Sequence, residues 1–334
     1  MTLALTLAAD AAAAAAAEHA LGLVAFGAGH APGALPCVRA EAALLDPGHH
    51  WCALWTTGTV ARAGGHAGVR YRLAGELLFG AVAVDEADFG AEADGTPLQH
   101  AVEHGYRAIF AVLEAEGCGN LLRVWNYLPR INAIEHGSER YRQFNTGRQH
   151  AFAACGRALS GNVPAACALG VAAGVVEIGF LACRRTPQAV ENPRQVSAYD
   201  YPADYGRHSP TFARAALLDH AGQWLLFVSG TASIVGHRTL HVGDAVAQTR
   251  EALANIDAVL AEAGRLAGRV FDARGLACVA YVRHARDLPA VRAEIRARLG
   301  EAAAVAYVQA DICRDDLLVE IEASGGHPIR GFDA

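Results

Sequence analysis

Apolar and polar side chains alternate between Leu317 and Ala323. In a strand this spacing puts Leu317, Val319, Ile321 and Ala323 on one face and Leu318, Glu320 and Glu322 on the other. So clean an apolar face calls for a helix layer or core beneath it, which leaves two carboxylates on the opposite face. A carboxyl partly removed from water there has a raised pKa and suits general-acid chemistry. The same pattern also fits a half-exposed edge strand with solvated glutamates.

Earlier in the chain, residues 19–30 read as a strand running into glycines. Residues 51–60 and 69–84 read as further strands, with Gly64-Gly65 as the turn between them. Thr96 followed by Pro97 starts a helix in which Val102, Tyr106, Ile109 and Leu113 recur at helical spacing, up to Gly117. Residues 120–128 are a predicted strand. Residues 138–159 are a predicted helix, interrupted or truly begun at Asn145-Thr146-Gly147, and 175–181 form another strand. Pro, Asn, Asp and Tyr crowd residues 186–210, the best linker. Strands are then predicted over 212–218 and 224–234. A helix follows from Asp244 to Leu260 with Gly264 as its stop, then a strand over 277–282, a helix over 288–299, and the last strands within 302–323.

The order repeats. Tyr106, Ile109, Ala111, Val112 and Leu113 fall on Leu253, Ile256, Ala258, Val259 and Leu260 at one constant shift. Glu76-Leu77-Leu78-Phe79 matches Trp224-Leu225-Leu226-Phe227, and Val176-Glu177-Ile178 matches Val319-Glu320-Ile321. The predicted architecture is α+β. Two tandem units, 1–190 and 191–334, each have a sheet with two helices on one face. The bare sheet faces must pack on other sheets, so the carboxylate face points into a cleft between sheets.

Composition narrows the picture. The chain has 334 residues, 53% of them hydrophobic and 19% charged, which suits two well-buried domains rather than a disordered chain. A net charge of −6 argues against a nucleic-acid footprint. The eight cysteines contain no C-x-x-C and fit a reducing cytoplasm. The Ala11–Ala17 run lacks the basic flank of a signal peptide, and no apolar run reaches a membrane span. A cytoplasmic protein without membrane or nucleic-acid partners is expected. Gly27, Gly29 and Gly33 make no dinucleotide fingerprint. His100 and His104 lie opposite the apolar stripe of their helix and His49-His50 has no partner motif, so no metal is expected.

The second half, 191–334, resembles the RidA (YjgF/UK114) family in Ser209–Ala215, Phe227–Thr231, Asp244–Glu251, Asn255–Leu260 and Leu318–Ala323. This implies a chorismate-mutase-like unit. Where imine-deaminase members carry an arginine on the preceding strand, this chain has Ala304-Val305-Ala306, which argues against deamination. Over residues 20–330 the chain resembles the chorismatases, on Arg123–Asn132, Glu139–Arg148, Tyr199–Ala215, Ser229–Ile234 and Cys313–Glu322. That resemblance implies cleavage of chorismate with release of pyruvate and no metal or organic cofactor. It marks Glu320 as the acid that protonates the enolpyruvyl group, with Glu322 as the alternative and Glu177 as a relic in the first copy. Gly230 and Cys313 go with the type that forms 3-hydroxybenzoate, alone or with some 4-hydroxybenzoate. Gly230 is expected to leave room above the ring, and Cys313 to offer a soft polar contact; the plainer readings are a β-bulge at Gly230 and a buried small hydrophobe at Cys313. The two substrate carboxylates call for arginine, with Arg148 first, then Arg207 and Arg214, while Tyr127, Arg130 and Tyr205 add hydrogen bonds. The alternatives are hydrolysis of chorismate to a dihydroxycyclohexadiene carboxylate, a RidA-like deaminase, and a non-catalytic ligand-binding relative. Two units per chain either close an assembly alone or need further chains.

Overall fold

A computed structural model describes residues 2–8, 18–27, 33, 35–45, 51–90 and 95–331. The Ala11–Ala17 stretch, Gly29 and His49-His50 lie outside them. Helix α1 (Pro97–Ala115) starts on a reciprocal capping box: Thr96 Oγ1 accepts from Gln99 N, and the Gln99 side chain accepts from Thr96 N. Its predicted stripe is buried. Helix α2 (Arg140–Ala154) runs unbroken through Asn145-Thr146-Gly147. Gly147 is there for space, because a Cβ would overlap the Gln99 carbonyl oxygen where α2 crosses α1. Helix α3 (Ala245–Ala267) is capped by Asp244 and passes the expected stop at Gly264. It ends at Gly268, whose φ of 65° is the left-handed conformation glycine favours. Helix α4 (Leu288–Leu299) has its predicted limits.

Two six-stranded sheets share one topology. The first runs Ala165–Val171, Asn120–Pro129, Val176–Cys183, Leu77–Val84, Val69–Ala74, Arg62–His66. The second runs Ala304–Gln309, Ala277–Val282, Val319–Gly325, Gln223–Ala232, Ala215–His220, Gln188–Val190. In each, the first pair is parallel and the rest antiparallel. The internal repeat is therefore a repeat of structure. Gly64-Gly65 is not a turn. Both lie inside the edge strand Arg62–His66, and bare Gly64 makes room for the Tyr71 ring, while the chain reverses at Ala67-Gly68.

A third sheet, of five strands, was not predicted as a unit. Its order is Ile329–Arg330, Leu3–Ala8, Trp51–Thr57, Ala20–Phe26, Cys37–Ala40. One core draws on all three sheets, with Leu5 and Trp55 from the third, Phe79 and Trp125 from the first, and Phe227 and Tyr281 from the second. At its centre Tyr127 and Tyr281 share a hydrogen bond of 2.8 Å, and Phe26 meets both rings edge-on. Separate cores fill the space between each six-stranded sheet and its helices. No helix among the described residues is long and apolar enough to cross a membrane.

Candidate active site

Glu320 sits on the central strand of the second sheet, opposite Ala232 on one side and Tyr281 on the other. Its apolar neighbours Val319 and Ile321 point into the core under α3 and α4, which turns Glu320 toward the other face. The neighbouring strand Gln223–Ala232 loses register between Val228 and Thr231. This bulge is pinned from several sides. Ser229 Oγ accepts from Ala166 N at 2.9 Å and donates to Ala213 O at 2.5 Å, while Thr231 Oγ1 donates to Ser229 O at 2.8 Å.

The bulge presents Gly230 to the Glu320 carboxyl. A Cβ at Gly230 would overlap Glu320 Oε1 and stand 3.2 Å from Cys167 Cβ. The space that Gly230 leaves free is thus filled by the acid itself, which corrects the expectation of open room above a substrate ring.

Glu320 is only 3% exposed. Burial pushes its pKa from 4.5 up to about 8, and repulsion from Glu322 adds to this, while the Arg123 cation opposes it. Two strand positions on, Glu322 forms a buried ion pair with Arg123 and accepts from Trp125 Nε1 at 3.2 Å. Both partners come from the first unit. The two acids thus differ in surroundings: Glu322 is tied down, while Glu320 faces a cavity.

That cavity measures about 330 Å³ and lies between the units. Glu320 and Gly230 form part of its wall, and Cys313 and Arg314 come from the loop before the Glu320 strand. Tyr141 and Arg142 reach it from α2. Tyr201 and Tyr205 come from the linker, and Phe212 and Arg214 from the stretch that follows it. Arg214 is 5% exposed and donates through Nη2 to Val196 O and Tyr201 Oη, both at 2.8 Å. Arg314 donates through Nη1 to His237 O at 3.0 Å and lies over the Tyr205 ring at 4.1 Å. Among the described residues, Arg214 Nε and Arg314 Nη2 are buried without a hydrogen-bond partner. Among the same residues, no carboxylate stands within ion-pair distance of either guanidinium. Two cations with spare donors on one cavity wall make a site for an anion. Burial raises the Cys313 thiol to about 12, so it faces the cavity as a neutral thiol.

Of the residues singled out in the sequence, Glu320, Gly230, Cys313, Arg214 and Tyr205 meet at the cavity. Arg148, Tyr127, Arg207 and Arg130 do not line it. Arg148 is 2% exposed within the helix layer, where Nη2 donates to Asn145 Oδ1 at 2.8 Å and the guanidinium covers the Phe144 ring. Tyr127 is held at the centre of the three-sheet core by Tyr281. Arg207 is exposed, and Arg130 pairs with Glu135 at 2.5 Å. Glu177 lies between the first and third sheets near Cys37 and Arg39, with burial raising its pKa to about 7. Gly179, two residues on, stands where Glu322 stands in the second copy, and the space of a side chain there is taken by Val38. The strand Ala304–Gln309 brings no cation, since Ala304 packs on the three-sheet core and Val305 on the helix side. Arg314, Arg142, Tyr141 and Tyr201 were missed. All four lie inside segments that carried the family resemblance, and Arg314 adjoins Cys313.

Residues 53–182 match the family described as chorismatase FkbO/Hyg5-like, N-terminal. A 3-hydroxybenzoate synthase of Streptomyces hygroscopicus is 38% identical over 281 residues, covering 80% of this chain and 79% of the relative. A chorismatase of the same species is 35% identical over 315 residues, covering 91% and 89%. A chorismatase crystal structure matches with a TM-score of 0.83 at 33% identity, over 93% of this chain and 94% of that one. Shared fold, long motifs and near-complete coverage together make this chain a member of the chorismatase family.

Proposed function

We propose that the chain cleaves chorismate to pyruvate and 3-hydroxybenzoate in the cavity between its units. One observation carries this reading: a buried carboxyl that holds its proton at neutral pH shares a cavity wall with two arginines that have free donors. Chorismate is a dicarboxylate whose enol ether is cleaved by protonation at carbon. Arg214 and Arg314 bind the carboxylates, and Glu320 delivers its proton to the methylene carbon of the enolpyruvyl group. The resulting cation weakens the bond between the ring and the ether oxygen. The neighbouring ring hydroxyl displaces that oxygen and returns a proton to Glu320, and pyruvate leaves. The ring product then aromatises. Chorismate equals hydroxybenzoate plus pyruvate in atoms, so no water is consumed. Gly230 and Cys313 favour this route over hydrolysis by the family pattern, with Cys313 acting as a neutral polar contact.

Purified protein mixed with chorismate is expected to release pyruvate and 3-hydroxybenzoate in equal amounts. Absence of pyruvate would falsify the reading. A dihydroxycyclohexadiene carboxylate in place of the benzoate would keep the cleavage and replace the displacement by hydrolysis.

A further inference from the structure

The loop Asp311–Leu317 brings Cys313 and Arg314 to the cavity, yet it has little regular structure of its own. A side chain that does not line the cavity gathers much of it. Arg283 follows the strand Ala277–Val282, and its side chain is 10% exposed. Its Nε donates to Leu317 O at 2.8 Å. Its Nη2 donates to Arg314 O at 2.8 Å and to Ile312 O at 3.2 Å. Its Nη1 pairs with Asp311 Oδ1 at 2.7 Å, and both Nη atoms reach Asn132 Oδ1 at 3.2 Å. The guanidinium thus gathers carbonyls on both sides of the Cys313-Arg314 pair. Through Asn132 it also ties them to the first unit.

We propose that Arg283 is the positioning residue that sets where Cys313 and Arg314 stand against the substrate. This rests on reading the cavity as the chorismate site. A flat guanidinium can serve several acceptors in one plane, whereas a lysine ammonium is a point charge that cannot span them. Without the guanidinium, carbonyls 312 and 317 must find other donors and carbonyl 314 keeps only the Leu317 amide, so the loop shifts to find them. Shifts of this kind cost binding and rate even when every group that touches substrate is intact. Asp311 also exchanges backbone hydrogen bonds with Gly170, at 2.7 and 3.0 Å, so the loop is fixed to the first unit at one end only by backbone. Gln248 and Thr239 hold Asp316 near the other end, and Arg283 fixes the stretch that carries Cys313 and Arg314.

The test pairs Arg283→Lys with Asn132→Ala, in the full-length protein. Amide hydrogen exchange at Asp311, Leu317 and Leu318 reads the loop directly, since all three amides are hydrogen-bonded. In Arg283→Lys these amides are expected to exchange about tenfold faster than in the unaltered protein, and KM for chorismate to rise about tenfold. The pH at which activity falls should stay unchanged, because Glu320 is not touched. Asn132→Ala should move the same readouts less. Should Arg283→Lys fail to fold, Asn132→Ala alone decides. Exchange rates and KM within about twofold of the unaltered protein overturn the proposal. If the unaltered protein releases no pyruvate, the functional reading fails, and the exchange measurement still decides the role of Arg283.

Discussion

Glu320 keeps its proton because burial penalises the charged form and Glu322 repels it. The sign of the pH effect follows. A folded-state pKa of about 8 against an ordinary 4.5 means that the native state holds a proton the unfolded chain has lost between those values. Stability from this group is complete below pH 4.5 and is lost as pH rises to about 8. Activity that needs the acid form should fall above pH about 8 in a profile of kcat/KM. Glu320→Gln should lower kcat by about 10²–10⁴-fold, with chorismate still bound in equilibrium measurements. Unchanged turnover would move the acid role elsewhere. Glu322→Gln removes a like charge and leaves Arg123 uncompensated, and both changes favour ionised Glu320. The basic limb of the profile should therefore move down by about 1–3 pH units, and an unmoved limb would show that Glu322 does not tune the acid. The two-acid strand was legible from its alternation and from the family pattern. Which acid faces a cavity was not, because that depends on Arg123 and Trp125, nearly 200 residues away in sequence.

At the scale of the element, helix limits were read well wherever a side chain or proline marked them, as at Thr96, Asp244 and Leu288. Glycines misled where their reason was contact instead of conformation. Gly64 yields to Tyr71 and Gly147 to the Gln99 carbonyl, and neither breaks its element. Sequence spacing cannot tell these glycines from true stops, since the partner lies on another element. Gly147→Ala tests the point. Adding one methyl at the α1–α2 crossing should cost about 1–3 kcal/mol in denaturant unfolding, although alanine is the better helix former. A gain in stability would mean that the helices separate without strain. The bulge at Ser229-Gly230 was legible only as the alternative reading of that glycine, and it is what lets the acid come close to the neighbouring strand.

At the scale of the molecule, the repeat was readable because each copy keeps its order and its Val-Glu-Ile strand. The third sheet was not, because its strands are gathered from residues 3–57 and from 329–330, at opposite ends of the chain. The division at residue 190 is a proposal that dissection can test. Residues 191–334 alone would lose Gln188–Val190, the edge strand of their sheet, would expose the inner sheet face that Trp55 and Trp125 cover, and would lack Tyr141 and Arg142 from the cavity. Expressed alone, this half should associate on size-exclusion chromatography and release no pyruvate. Co-expression with 1–190 should restore release. A monomeric, active half would refute the dependence.

Val38 in the space beside Gly179 has a consequence for how such a protein can change. In a ring of identical chains, every substitution appears at every interface, so a residue that improves one site must be tolerated in all of them. Here the two copies are covalently joined and separately encoded. Glu322 and Arg123 could become a matched pair across one interface while the corresponding place in the other copy was given up to packing. Each wall of the first site is thereby free to vary alone.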